Sequence, residues 1–126
     1  MIDAIFNQPS YVATKKMMDA TALRHEAIAS NLANIETPNY KRIDLAPNFA
    51  ADLRNAMSSN DIHKISSMNP SLAQDFNSVS ANRDGNTVQL ETELLNLNQN
   101  TMDHALETQL VSGALFKLRM AITGRT

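Results

Sequence analysis

A chain of 126 residues with 43% hydrophobic but only 5% aromatic content is one domain's worth of material and not a large-cored globule. A formal charge of −2 gives no overall basic bias toward nucleic acid or an anionic membrane surface. The absence of cysteine removes disulfides, thiol nucleophiles and thiolate metal sites together.

The opening Met-Ile-Asp-Ala-Ile-Phe-Asn-Gln-Pro has no basic stretch and no long apolar core, so neither a Sec-type signal nor a membrane-spanning helix is expected. The first helix is predicted over about 10–34, with Ser10 as its N-cap after Pro9. Tyr11, Thr14, Met18, Thr21, His25, Ile28, Leu32 and Ile35 step by three and four, the spacing of a single helical seam. Asn31 and Asn34 are poor residues for its last turns, because their amides compete with the backbone for hydrogen bonds. Pro38 blocks continuation of the helix. Thr37-Pro38-Asn39-Tyr40 then reads as a turn, with Asn39 able to take a left-handed conformation.

Phe49, Leu53 and Met57 after Pro47-Asn48 predict a short amphipathic helix. Over 58–87 the chain is polar and aperiodic, which predicts a long loop or weakly structured arm, ending in an Asp84-Gly85-Asn86 turn. Leu90, Leu94, Leu97, Thr101, His104, Thr108, Val111, Leu115, Leu118 and Ile122 form a second, cleaner seam and predict one helix over 89–123. Glu91 and Glu93 at its start, and Lys117, Arg119 and Arg125 near its end, suit the macrodipole. Gly113 within it is expected where a neighbouring helix approaches closely.

The expected fold is all-α, with the terminal helices over 1–39 and 89–126 paired as a coiled coil through facing seams. A mostly irregular arm over 40–88 projects from one end and contains the short helix near 48–57. Leu23, Leu95, Met102, Leu106, Leu110, Phe116 and Met120 fall off the seams and form a surface in want of a partner.

Catalytic constellations are not found. His25, His63 and His104 share no ligand spacing with carboxylates, and packed or partner-facing roles suit the two seam histidines. Glu91 and Glu93 point about 200° apart and read as dipole complementation. Lys15-Lys16, Lys41-Arg42 and Lys117 with Arg119 read as solvated or salt-bridged pairs. No cofactor, metal, small-molecule substrate or nucleic acid is expected, and the chain does not read as an enzyme.

Residues 29–42, Ala-Ser-Asn-Leu-Ala-Asn-Ile-Glu-Thr-Pro-Asn-Tyr-Lys-Arg, resemble the N-terminal signature of bacterial flagellar rod, hook and related axial proteins, Ala-x-Asn-Leu-Ala-Asn-x-x-Thr-Pro-Gly-Tyr/Phe-Lys. Asn39 stands where glycine is usual, and asparagine is the next-best residue for a left-handed turn. Asp84-Gly85-Asn86-Thr87-Val88 and the ending Leu118-Arg119-Met120-Ala121-Ile122-Thr123-Gly124 are similar to the short proximal-rod members of that family. The resemblance implies a structural subunit of the basal-body proximal rod, with paired terminal helices forming the inner layer of a helical tube that transmits torque. It implies as partners other copies of the chain, rod proteins of the FlgC and FlgF type, the rod-ring adaptor FliE and the membrane ring. It also implies export by the flagellar type III apparatus and a place in the periplasmic rod.

The candidate assembly residues are Ile28, Asn31, Leu32, Asn34, Thr37, Pro38, Asn39, Tyr40, Leu90, Leu94, Leu97, Val111, Leu115, Leu118 and Ile122. Asn31 and Asn34 either bridge to neighbouring subunits or hold the exit at Thr37-Pro38, with plain helix capping as the local alternative. The competing function is a non-flagellar helical interaction module or secretion adaptor. A helical-bundle metalloenzyme would need inward carboxylate and histidine sets that are not seen.

Overall fold

The computed structural model describes residues 6–79 and 82–124; residues 1–5 and 125–126 of the expected terminal regions, Arg125 among them, lie outside these. In chain order the elements are α1 (Pro9–Ala33), β1 (Ile43–Leu45), α2 (Asn48–Ser58), α3 (Ile62–Ser67), β2 (Leu72–Gln74) and α4 (Leu90–Thr123). The class is all-α, its β content confined to one short antiparallel pair that sets Ile43 opposite Gln74, Asp44 opposite Ala73 and Leu45 opposite Leu72.

The start of α1 corrects the capping expectation. Gln8 is the N-cap, without a side-chain bond, and Pro9 takes the first helical position, where its missing N–H is no loss and its fixed φ is already helical. Ser10 is therefore inside the helix, its carbonyl accepting the Thr14 hydroxyl at 2.8 Å. Ala13, Ala20 and Ala27 recur at seven-residue spacing and are all buried. Such small side chains let other elements come close to the α1 backbone. Ala13 and Ala20 join Phe49, Leu53, Ala56 and Ile65 in the core, with Val12, Leu45 and Met68 packed against it.

The main apolar core thus lies between α1 and the middle of the chain. The arm folds back along α1 instead of projecting from its end. In α2 the buried stripe is Phe49, Leu53 and Ala56, whereas Met57, expected inside, is exposed. The stretch expected as a loop contains α3 and β2. Asp61 caps α3 by accepting the Lys64 N–H at 3.0 Å, and Ile65 anchors it in the core. Elements of six and three residues are too short for either hydrophobic period to register.

α4 is continuous over 34 residues, about 51 Å at 1.5 Å per residue. Gly124 ends it in the left-handed conformation, φ 61°, with its N–H on the Met120 carbonyl at 2.9 Å. Among the described residues no helix is long and apolar enough to cross a membrane.

Candidate functional site: the helix exit and the faces of the C-terminal helix

Asn31 is fully buried near the end of α1. Its Nδ2 donates to the Ile43 carbonyl at 2.8 Å and its Oδ1 accepts the Ile43 N–H at 3.0 Å, so one amide replaces a strand partner for β1. The Tyr40 hydroxyl donates to the same Oδ1 at 3.2 Å. Asn34 donates to the Ser30 carbonyl at 2.8 Å and accepts from the Thr37 hydroxyl at 3.2 Å. Both signature amides therefore hold the exit within their own chain. Asn39 has φ 60°, the left-handed turn that its position in the signature predicts.

The other half of this exit comes from the residues before α4. Buried Asn86 directs its Nδ2 to the carbonyls of Asn34, Ile35 and Thr37 at 2.8, 3.0 and 2.9 Å. They follow the last turn of α1, and those of Asn34 and Thr37 also accept turn N–H groups, from Thr37 at 3.0 Å and from Tyr40 at 3.3 Å. The Asn39 N–H reaches the Asp84 carbonyl at 2.9 Å, and the Thr87 N–H reaches the Tyr40 carbonyl at 3.1 Å. Exposed Lys41 donates to the Gly85 carbonyl at 2.8 Å. Gly85 has φ 78°, and a Cβ there would stand 2.6 Å from Asn39 Oδ1. Two turns read separately in the sequence form one clasp, in which the missing side chain of Gly85 leaves room for that of Asn39.

Arg42, expected near solvent, is only 5% exposed. Its Nε pairs with Glu93, Nη1 with Asp75 at 2.7 Å and Nη2 with Asp44 at 2.8 Å. Arg24 of α1 adds a second cation, 3.0 Å from Asp44. Glu93 is 0% exposed, so the dipole role expected of it is corrected: it is one end of a buried ion pair. A carboxylate buried this deeply is tolerable only with such a partner. Burial works against the charge on Arg42, but the Asp44 and Glu93 carboxylates outweigh it and hold the guanidinium above its usual range. Burial also opposes the charge on Asp44, yet the bond from Arg42, the Leu45 N–H and the Arg24 charge bring its carboxyl below the ordinary value. The cluster joins α1, the arm and α4 through charge.

The face that α4 turns to α1 differs from the expected seam. Leu97, Val111 and Leu118 are half-buried, but Leu90, Leu94, Leu115 and Ile122 are exposed. The fully buried residues of α4 are Glu93, Asn100 and Glu107, at seven-residue intervals. Asn100 donates to the Thr21 carbonyl at 2.9 Å, and the Thr21 hydroxyl donates to Glu107 at 2.8 Å. Burial pushes the Glu107 carboxyl up, against the Thr21 bond and with help from nearby Asp103. Apolar residues at positions 97, 111 and 118 satisfy a three-four spacing with either neighbouring column. Hydrophobicity selected the outer column and passed over the polar one.

On α1, Ile28 is buried, and Leu32, Ile35 and Tyr40 are half-buried, whereas Thr37, Pro38 and Asn39 are exposed. His25 and His104 are both exposed, with His104 Nδ1 3.4 Å from the Thr21 hydroxyl oxygen. A Cβ on Gly113 would meet nothing within 4 Å, so no helix of this chain approaches it as expected. Of the residues read as surface in want of a partner, Leu95, Met102, Leu106, Leu110 and Phe116 are exposed, whereas Leu23 and Met120 are half-buried. Among the described residues no three His, Asp or Glu side chains are placed to hold a metal ion.

A family model described as flagella basal body rod protein matches residues 18–41, the stretch that carries Asn31, Asn34, Asn39 and Tyr40. The flagellar basal body rod proteins FlgB of Borrelia hermsii and Borreliella burgdorferi are each 31% identical to the chain over 113 residues, covering 75% of it and 82% of the relative. The FlgB protein of Aquifex aeolicus is 30% identical over 113 residues, covering 88% of the chain and 90% of that protein.

Proposed function

Since the chain belongs to the flagellar basal body rod protein FlgB family, and is a structural subunit of the rod that assembles with other rod proteins, we propose that α4 is its principal docking element. The exposed stripe of α4 packs on helices of neighbouring subunits. The α1–α4 pair lies in the inner layer of a helical tube, as a coiled coil, and the tube carries torque. The neighbours are further copies, rod proteins of the FlgC and FlgF type, the FliE adaptor and the membrane ring. Export runs through the flagellar type III apparatus to the periplasmic rod. Leu90, Leu94, Leu115 and Ile122 serve at subunit contacts. Asn31, Asn34, Thr37, Pro38, Asn39 and Tyr40 serve indirectly, by fixing how the chain leaves α1, and Ile28, Leu32, Leu97, Val111 and Leu118 hold the pair together.

The observation that carries this proposal is the reversal of α4, which buries Glu93, Asn100 and Glu107 while leaving Met102 72% and Leu106 62% exposed. The chain exposes 8513 Å², against about 6,700 Å² for a compact monomer of its 13.9 kDa mass. The surplus, about 1,800 Å², exceeds the roughly 800 Å² that one partner contributes to a standard protein interface.

The test is Leu106→Asp beside Ser67→Ala in a strain deleted for the gene, read by swimming and by electron microscopy of purified basal bodies. Leu106 is exposed, so the aspartate should leave the isolated chain's stability within about 0.5 kcal/mol of the parent. Rods should be missing with Leu106→Asp and present with Ser67→Ala. Normal rods and swimming with the aspartate variant would defeat the proposal.

A further inference from the structure

α4 offers α1 the polar one of two stripes. Glu93, Asn100 and Glu107 are buried, whereas Leu95 and Met102, each two residues further along than its counterpart and about 200° round the helix, and Phe116, nine residues beyond Glu107 and about 180° round, are exposed. Apolar burial alone would seat α1 on the second stripe.

Glu93 and Glu107 meet side-chain partners set by the observed register, and Asn100 meets a main-chain carbonyl. Glu93 has the Arg42 guanidinium and the Asn31 amide, the latter at 3.4 Å. Asn100 has the Thr21 carbonyl at 2.9 Å, and Glu107 the hydroxyl of the same threonine at 2.8 Å. Sliding α4 by one heptad, about 10 Å along the axis, takes Glu93 away from Arg42 in either direction. It also sets Glu107 against the level of Ile28, which has no side-chain donor, or of Thr14, whose hydroxyl bonds the Ser10 carbonyl much as that of Thr21 bonds the Met18 carbonyl. Asn100 adds little to stability, because its buried Oδ1 meets no hydrogen-bond partner among the described residues. A buried polar residue with an unmet acceptor is better suited to excluding alternatives than to strengthening the native state.

We propose that Glu93, Asn100 and Glu107 are positioning residues that fix both the register and the face of α4 against α1. They keep the apolar stripe free by making every other pairing of the two helices leave a buried charge or amide without its partner. The inference rests on the helix pair of the single chain and stands apart from the rod assignment.

The test uses the purified full chain, whose lack of cysteine permits spin labels at Lys15→Cys and Gln99→Cys, both exposed positions. Pulsed electron resonance should give one distance in the parent. Adding Asn100→Leu and Glu107→Leu should raise the melting temperature and yet introduce a second distance, displaced by up to about 10 Å. Glu107→Gln, which retains an acceptor for Thr21, should keep the single distance. A single parental distance in the leucine variant overturns the proposal whether its melting temperature rises or falls, and so does a second distance in Glu107→Gln. Should the leucine pair abolish helical circular dichroism, Asn100→Leu alone is judged by the same criterion.

Discussion

Asn86 caps a helix to which it does not belong, holding three carbonyls at the end of α1 from the far side of the arm. Asn86→Ala should therefore cost about 1–2 kcal/mol, mainly for the Ile35 carbonyl, since those of Asn34 and Thr37 keep their turn N–H partners, measured by urea unfolding. Asn39 tests the left-handed turn more selectively, since its φ of 60° is open to glycine and strained for a β-branched residue. Asn39→Gly should fold like the parent, whereas Asn39→Val should lose about 1–2 kcal/mol; equal stabilities would mean that residue 39 does not set the turn. The positive φ at Asn39 was legible in the sequence because proline and asparagine carry their backbone preferences locally. The burial of Arg42 was not, because its partner Glu93 is 51 residues away and a charged side chain read alone appears solvated.

Both long helices were legible, boundaries included to within a residue or two, from apolar spacing and Pro38. The face that α4 buries was hidden, because its inward residues are polar and their partners lie on α1 and beside β1. Ala13, Ala20 and Ala27 were hidden for a related reason: alanine carries little hydrophobic signal, although its small size is what lets the arm approach α1. The two shifted carboxyls act on helix packing in opposite senses. Asp44 has a folded value below its ordinary 3.8, so its stabilising contribution is present above that value and lost as pH falls through the folded one. Glu107 has a folded value above its ordinary 4.5, so its contribution is present below 4.5 and lost as pH rises through the folded one. In urea titrations from pH 3 to 7, Asp44→Asn should be less stable than the parent at pH 7, with the gap closing in acid. Glu107→Gln should be more stable at pH 7, and that gap should also close in acid.

For the molecule as a whole, the proposed function assigns stability and assembly to different surfaces. The apolar core between α1 and the arm, the charge cluster around Arg42 and the exit clasp hold the subunit together. The outward stripe of α4 contributes little to that fold and is available to neighbours. This division explains why the family was readable from residues 29–42 while the internal packing of α4 was not. The signature encodes an exit held within one short stretch of chain, whereas the inward face of α4 depends on contacts made only after the chain has folded. A photo-crosslinking residue placed at Met102, on the exposed stripe, and separately at Ser67, on exposed α3, compares the two surfaces inside intact basal bodies. Irradiation followed by mass spectrometry should join Met102 to a helix of another rod subunit in high yield and Ser67 only weakly; absence of any intersubunit adduct at Met102 would contradict the assignment of α4 as the docking element.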